Sequence, residues 1–489
     1  MPNSHFPNPS GQSGQNRLLD WLNQRTGFRQ AAHQALDEPI PGGSRFAYVF
    51  GSGLLFLFIS QIITGIFLAL YYVPSADHAH TTIAYITKVV TAGSFLRSIH
   101  AYGASAMIVV LILHLGQTFL YGSYKGRREL LWLAGCILFA LVLAMAFTGY
   151  LLPWDQKAFF ATAVGTNIMS EVPVVGEGIK RLMRGGTEMG TLTLSRFFVA
   201  HVFFIPAFIF LFVAMHVYFF RKAGAAGPPG VDPVHPNVKT ESFYPLQVLK
   251  DIGFATLLII TLGVVAHYFP TDLGPAANPA DTQFVPRPEW YYRPVFQWLR
   301  YWQGARAVIG ILVIPGIVAV LLTALPFIDR NPERRPWRRP ISVGIFAMLM
   351  LGLIALGMIS YNFDRSDPGI KAQLEIQRRD TEKFTQEPFQ PELSAASLAA
   401  AASVAVADPL IIKGKGIFEA QACSGCHGDG GIGTTVGPKL IGIGAKFPPD
   451  KLAALLKQPT EKMAAGGMSP VEAGADEMKA LIAYLNSLK

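Results

Sequence analysis

The sequence predicts an all-α protein: seven membrane-spanning helices, four of them bundled around two stacked sites, followed by a small soluble all-α domain. Three observations carry that prediction. Of 489 residues, 51% are hydrophobic and 15% charged, too apolar a balance for a water-soluble chain. Seven stretches are apolar for about 20 residues or more, the length that crosses a bilayer as a helix. Two of those stretches each hold two histidines, His100 with His114 and His201 with His216, and a CxxCH run lies downstream at Cys423, Cys426 and His427.

Taken in order, residues 1–44 are polar, and WLNQRTGFRQAAHQAL is suited to a short amphipathic helix at the membrane surface. No apolar signal-peptide core precedes the first span, so that span is expected to direct insertion. It covers about 46–71 and contains Gly51 and Gly65, 14 residues apart. A loop with the short interfacial stretch IAYITKVV leads to the second span, about 93–120, with His100 and His114. The third, about 130–152, repeats the glycine interval at Gly135 and Gly149. Residues 153–191 are too polar to cross and read as a lid of short helices. The fourth span, about 192–220, carries His201 and His216 and ends in a Gly/Pro-rich loop where a chain break should be tolerated. The fifth, sixth and seventh spans cover about 249–268, 304–326 and 341–360. A Pro- and aromatic-rich loop with PEWYYRPVFQWLRYW separates the fifth from the sixth, and DRNPERRPWRRP follows the sixth. Placing that basic loop with 121–129 and 221–248 in the cytoplasm puts the N-terminus inside and the C-terminus outside. The formal charge of +9 is thus topological and lipid-facing, not a nucleic-acid footprint. Residues 362–408 read as a linker, their alanine-rich run too weak for an eighth span, and 409–489 as the soluble domain. Three cysteines exclude a disulfide framework; Cys136, within the third span, reads as a small buried apolar residue.

The histidine spacing points to chemistry. On a helix, 14 residues return to within ~40° of the starting direction and 15 to within ~60°, so each pair shares a face, ~21 Å apart along the axis. Two such helices facing each other make two bis-imidazole sites, one toward each side of the membrane. Simple packing explains a lone buried histidine, but four at matched spacing are less easily explained that way. Ligands for bare metal ions sit one turn apart; these suit two planar macrocycles gripped from both sides, and neutral imidazole is an axial ligand of haem iron. A mid-helix glycine costs about 1 kcal/mol against alanine, so the two 14-residue glycine pairs are expected to clear room for haem.

In the soluble domain, Cys423 and Cys426 can form thioethers to a c-type haem, with His427 as its proximal ligand. Zinc would require further cysteine or histidine ligands, and none are near. A redox dithiol is the weaker alternative. Pro438 lies in GPKL, and KMAAGGMSP offers Met463 and Met468; Met468, after two glycines, is the expected sixth ligand. The terminal DEMKALIAYLNSLK has helical spacing and should pack against the helix beginning near Gly414. Covalent attachment of this kind occurs outside the cytoplasm, in agreement with seven spans.

With these motifs in hand, the first 220 residues resemble cytochrome b or b6 of the cytochrome bc1/b6f family. Residues from about 240 to 360 resemble its C-terminal, subunit IV-like part, and the last 80 a class I cytochrome c. The resemblance implies a dihaem domain at 45–222, a three-span domain at 223–361, a periplasmic linker at 362–408 and a cytochrome c domain at 409–489, after a cytoplasmic segment at 1–44. It implies that His100 and His201 ligate an outer haem b, His114 and His216 an inner one, and that Gly51, Gly65, Gly135 and Gly149 clear space for them. Arg97 corresponds to an arginine paired with a haem propionate. Glu289, in Pro288–Tyr291, corresponds to the PEWY motif of an outer quinol site, where a carboxylate among aromatic residues is suited to accept the proton of quinol; Tyr291 and Tyr150 correspond to its wall. Arg221, Lys250 and Asp251 correspond to charged residues of an inner quinone site, the alternative being a charged helix flank. Val49 stands where the b6 branch has a haem-binding cysteine, so a thioether there is not expected; an extra noncovalent inner haem stays open.

The implied activity is that of a quinol:cytochrome c oxidoreductase subunit. Quinol is oxidised at the outer site, one electron passing to a Rieske iron–sulfur protein and the c haem, the other through the two b haems to inner quinone, with proton translocation. The chain has no second cysteine/histidine cluster for the Rieske centre, so that partner is expected to be a separate polypeptide. A downstream cytochrome c or similar acceptor, a homodimeric complex and a bacterial inner membrane complete the expectation. Two rivals are a dihaem module without divided electron flow, against which Glu289 speaks, and a transporter or scaffold lacking b haem.

Overall fold

The computed structural model describes residues 14–231, 237–391, 409–434 and 437–488, and the chain divides into two compact units, Met1–Gln390 and Pro391–Lys489. The first unit opens with helices α1 (Gly14–Thr26) and α2 (Phe28–Leu36). One helix was expected here; Gly27, at φ 63°, divides it, since the left-handed conformation costs glycine little. Strand β1 (Pro39–Pro41) then pairs antiparallel with β2 (Thr240–Ser242).

Seven helices among the described residues are long and apolar enough to cross a membrane. The first is α3 (Phe46–Ala69), followed by the short α4 (Ala79–Lys88) and by the spans α5 (Gly93–Leu120) and α6 (Glu129–Tyr150). The lid consists of α7 (Gln156–Ser170) and α8 (Gly176–Arg184). Asp155 caps α7 by accepting the Ala158 N–H at 2.8 Å. Arg184 ties α8 to α7 through a 2.8 Å bond from Nε to the Thr166 hydroxyl. Spans α9 (Thr191–Ala223) and α10 (Leu246–Tyr268) follow, then the short α11 (Arg293–Leu299) and spans α12 (Ile309–Ile328) and α13 (Pro340–Ser366). Within this unit α3 packs on α5 and α6 on α9, and α10 lies against the first pair. Many apolar side chains of the spans remain exposed, as a lipid-facing surface requires.

The three basic loops converge on one end of the bundle. Their charge is spent internally to an extent that counting Lys and Arg did not predict. Arg334 donates to the carbonyls of Tyr121, Ala226 and Gly227, so the Gly/Pro-rich loop expected to tolerate a break is stitched to its neighbours. Arg339 is buried and donates to the carbonyls of Phe119 and Leu120. Lys125, also buried, pairs with Asp329 at 2.7 Å. Backbone carbonyls at helix ends lack intrahelical donors, and guanidinium groups supply them.

At the other end, Tyr72, Ile83, Leu151, Trp154, Phe159, Phe197 and Leu273 form a buried cluster uniting α4, the lid and the loop after α10. The stretch expected as the first half of a linker is ordered against it as α14 (Pro368–Gln386), capped by Asp367, which accepts the Ile370 N–H at 3.0 Å. Phe384 and Phe389 pack on the cluster, and Lys88 donates to the carbonyls of Phe384 and Glu387 at 2.5 and 2.6 Å. Two phenylalanines among charged residues give this segment an apolar seat. The alanine-rich half of the expected linker, 392–408, lies outside the described residues.

The second unit contains α15 (Pro409–Ala420), α16 (Cys423–His427), α17 (Pro449–Lys457) and α18 (Ala475–Ser487). Helices α15 and α18 cross where a side chain at Gly414 would come within 2.0 Å of the Ala480 carbonyl, so only glycine fits. Phe418 and Tyr484 meet with ring centres 5.4 Å apart, in a core completed by Leu452, Leu456, Leu481 and Leu485.

Candidate functional site

Helices α5 and α9 bring the four histidines together in two pairs. The ring centres of His100 and His201 are 6.2 Å apart, those of His114 and His216 6.5 Å. An imidazole nitrogen lies ~2.0–2.1 Å from a metal it binds and ~1.1 Å from its own ring centre, so two rings on opposite sides of one ion have centres ~6.3 Å apart. Both separations match that requirement. Among the described residues no three His, Cys, Asp or Glu side chains gather to hold a metal ion. Each pair would therefore present two imidazole nitrogens to one metal ion, whose other ligands would come from a group other than these side chains.

The unequal spacing of the two pairs, 14 and 15 residues, is reconciled by a π-turn at Ala200–Phe204, which contains His201. A π-turn holds one residue more than an α-turn, so α9 presents its histidines as though they were 14 apart. Pro206, just beyond the turn, has no N–H to donate into it.

Hydrogen bonds orient the rings. Thr64 donates its hydroxyl to the Ser60 carbonyl at 2.8 Å and so accepts from His100 Nδ1 at 3.0 Å. His201 Nδ1 lies 3.1 Å from the Met145 carbonyl and 3.3 Å from the Thr148 hydroxyl, which itself donates to Ala144 at 2.9 Å. A carbonyl only accepts, so Nδ1 carries the proton and Nε2 keeps the lone pair that binds metal. His427 is held the same way, its Nδ1 2.8 Å from the Pro438 carbonyl. Thr64 and Thr148 escaped the sequence reading, although each stands just before a glycine of the 14-residue pairs.

Those glycines face the imidazoles themselves. A Cβ would lie 3.2 Å from His100 Cε1 at Gly65, 3.6 Å from His114 at Gly51, 3.3 Å from His216 at Gly135 and 2.5 Å from His201 at Gly149. The space they clear is first of all for the ligand ring. Arg97 is buried near the His100 end; it donates to the Thr271 carbonyl, while its Nε has no partner among the described residues.

At that end lies a cleft of about 810 Å³ lined by Lys157, Arg287, Glu289, Trp290, Met358 and Tyr361, among others. Glu289 accepts from Lys157 Nζ at 2.7 Å, and Lys157 stands 5.6 Å from the centre of the Tyr150 ring. The Tyr150 hydroxyl is buried without a partner among the described residues. Burial and the nearby Glu289 carboxylate raise the Tyr291 hydroxyl well above the ordinary tyrosine range, and burial pushes Tyr292 up to about 12. Both stay protonated donors; Tyr292 donates to the Leu143 carbonyl at 2.7 Å. The loop is gripped from both sides by Asp364 of α13, which accepts from Arg287 Nε at 2.8 Å and Arg293 Nη2 at 2.7 Å. Asp364 is buried, and the sequence reading missed it because its partners lie more than 70 residues away.

At the opposite end, Lys250 donates to the Ser44 carbonyl and hydroxyl, both at 2.8 Å. Asp251 accepts from Gln247 at 2.9 Å, and Gln247 in turn accepts the Arg45 N–H at 2.9 Å. Arg221 pairs with Glu38 at 2.9 Å. The stretch before the first span thus supplies partners for Lys250 and Arg221 and reaches Asp251 through Gln247. In the second unit, Met468 packs at the edge of the core, directly after Gly467 at φ 90°; Met463 is partly buried.

Comparison with known proteins follows the same division. Residues 35–224 match the family described as cytochrome b/b6/petB, 276–370 cytochrome b(C-terminal)/b6/petD, and 411–489 cytochrome c. A cytochrome bc complex cytochrome b subunit of Chlorobaculum thiosulfatiphilum is 36% identical over 364 residues, covering 72% of this chain and 82% of that protein. A cytochrome b/c1 of Bradyrhizobium diazoefficiens is 34% identical over 358 residues, 72% of this chain but only about half, 51%, of that longer protein. A solved structure titled hyperthermophilic respiratory Complex III superposes with a TM-score of 0.64 at 27% identity, covering 75% of this chain and 96% of the other.

Proposed function

Because the chain belongs to the cytochrome b/b6 family, with a cytochrome c domain joined to its C-terminal end, we propose that it is the haem-carrying membrane subunit of a quinol:cytochrome c oxidoreductase. The observation that carries this reading is the pairing of imidazoles at metal-bridging separation, 6.2 and 6.5 Å, with a cleft that holds Glu289 at the His100 end. His100 with His201, and His114 with His216, would each hold a haem b, and Cys423, Cys426, His427 and Met468 a covalent haem c; haem supplies one-electron carriage when bound. Arg97, with its unpartnered Nε, is suited to an anionic haem substituent.

Quinol binds in the cleft, where the carboxylate of Glu289 accepts its proton; the Tyr150 and Tyr291 hydroxyls stand near that carboxylate but outside the lining of the cleft. The arginines on Asp364 keep Glu289 at the wall of the cleft. A separate Rieske iron–sulfur protein takes the other electron toward the c domain. At the inner end Arg221, Lys250 and Asp251, with their partners Glu38 and Ser44, deliver protons to quinone. Release at one end and uptake at the other translocates charge across a bacterial cytoplasmic membrane, with the N-terminus inside and the c domain outside.

The test is the haem and subunit inventory of the purified complex. Two b-type haems and one c-type haem, a copurifying Rieske protein and quinol-dependent reduction of the c haem are expected. A reduced-minus-oxidised spectrum with c-type absorption alone would end the proposal.

A further inference from the structure

Lys157 is the one charged side chain that the lid contributes to the rim of the cleft, and no part of the site reading uses it. Its backbone is pinned where α7 begins. Asp155 caps the helix at 2.8 Å, Gln156 N donates to the Pro275 carbonyl at 3.1 Å, and the Gln156 side chain donates to Asp281 at 2.9 Å and accepts the Asn278 N–H at 2.6 Å. The three bonds of Gln156 thus fix this turn against 275–281, the stretch that leads into the Glu289 loop. From there the ammonium group reaches Glu289 Oε1 at 2.7 Å and stands over the Tyr150 ring. Lys157 and Glu289 are 52% and 30% exposed, so water touches the pair and a proton can leave from it.

We infer that Lys157 is a positioning residue for Glu289, holding the carboxylate in place at the cleft until quinol arrives. The inference rests on the reading of Glu289 as proton acceptor. In the step, the O–H bond of quinol breaks and an O–H bond forms on Glu289. The carboxyl is then neutral, its attraction to the ammonium is lost, and it is released from Lys157. Loss of the proton to water restores the carboxylate, and the ion pair forms again. Lys157 returns the carboxylate to the same place in each cycle.

Four variants of the intact complex test this. Lys157→Met should lower quinol oxidation about fivefold, the scale of a partly exposed pair, through turnover rather than KM and with both b haems unchanged. Lys157→Arg, which keeps the charge, should recover most of the loss. In a Glu289→Gln background, where no carboxylate remains to position, Lys157→Met should have no further effect. Unchanged turnover in Lys157→Met, or an equal loss in both backgrounds, would overturn the role of Lys157. If Glu289→Gln alone keeps full turnover, it is the proton-acceptor reading beneath it that fails.

Discussion

Removing the Asp364 carboxylate should cripple quinol oxidation without touching the haems. Asp364 accepts three contacts of 2.7–2.8 Å from Arg287 and Arg293, which bracket the Glu289 loop. Its side chain is 6% exposed and theirs 12% and 21%. Taking one partner from a fully buried ion pair costs ~3–5 kcal/mol; the arginines here keep some access to water, which leaves ~2–3 kcal/mol of lost loop fixation. At 1.36 kcal/mol per decade, that shifts the balance between seated and unseated loop by roughly 30–150-fold. Asp364→Asn keeps the shape and removes the charge. In purified complex, quinol-dependent reduction of the c haem should fall by about tenfold or more by this measure, with part recovered in Asp364→Glu. The histidine pairs lie on other helices, so both b-haem bands should persist. Turnover within about twofold of the parent, or haem loss in step with activity, would refute the clamp as the cause.

The glycines give a graded series: Gly149→Ala, whose Cβ would lie 2.5 Å from His201, should lose the outer b haem, Gly65→Ala and Gly135→Ala at 3.2 and 3.3 Å should weaken theirs, and Gly51→Ala at 3.6 Å should be tolerated; b-haem content per c haem reads the order directly. Deleting one residue from 202–204 should convert the π-turn to α-helix and keep both b haems, whereas inserting one residue between His100 and His114 should lose at least one; loss of both on deletion would count against the register explanation. His80 is buried, with Nε2 2.8 Å from the Gly274 carbonyl and its ring against Phe384. Burial holds its imidazole below the ordinary histidine value, Gly274 and Asp155 opposing and Lys88 assisting. The unfolded chain then takes up the proton first, so this contribution is complete above about pH 6.5 and is lost as pH falls toward the folded value. Thermal unfolding followed from pH 7.5 to 5.5 should show a decline that His80→Asn flattens.

The parts legible in the sequence are those written in local periods. Apolar runs gave seven spans, CxxCH gave the covalent haem motif, and intervals of 14 or 15 gave the histidines and glycines a shared face. Long-range pairings were not legible. Asp364 looks like the charged end of a span, and only the folded chain shows it between Arg287 and Arg293. The basic loops illustrate the opposite hazard: Arg334 and Arg339 carry the charge bias expected of one membrane side, yet their guanidinium groups serve helix-end carbonyls. In α14 and the residues just after it, two phenylalanines, Phe384 and Phe389, in a charged stretch were too sparse a signal to predict a seat against His80 and Tyr85.

The glycine geometry also explains why the odd residue in α9 is absorbed where it is. Gly51 and Gly65 of α3 back the histidines of α5, and Gly135 and Gly149 of α6 back those of α9; each helix pair supports its own two ligands. A macrocycle between the two pairs needs its imidazoles at one level, and each imidazole needs the gap its glycine leaves. The gaps on α6 are 14 residues apart, as on α3. A uniform α-helix with histidines 15 apart would seat one ring in its gap and carry the other ~1.5 Å and ~100° past the second. Gly149, where a Cβ would come closest of all, leaves no slack at His201. The extra residue therefore has to be taken up between the two ligands, and the π-turn takes it up at the histidine with the tighter fit.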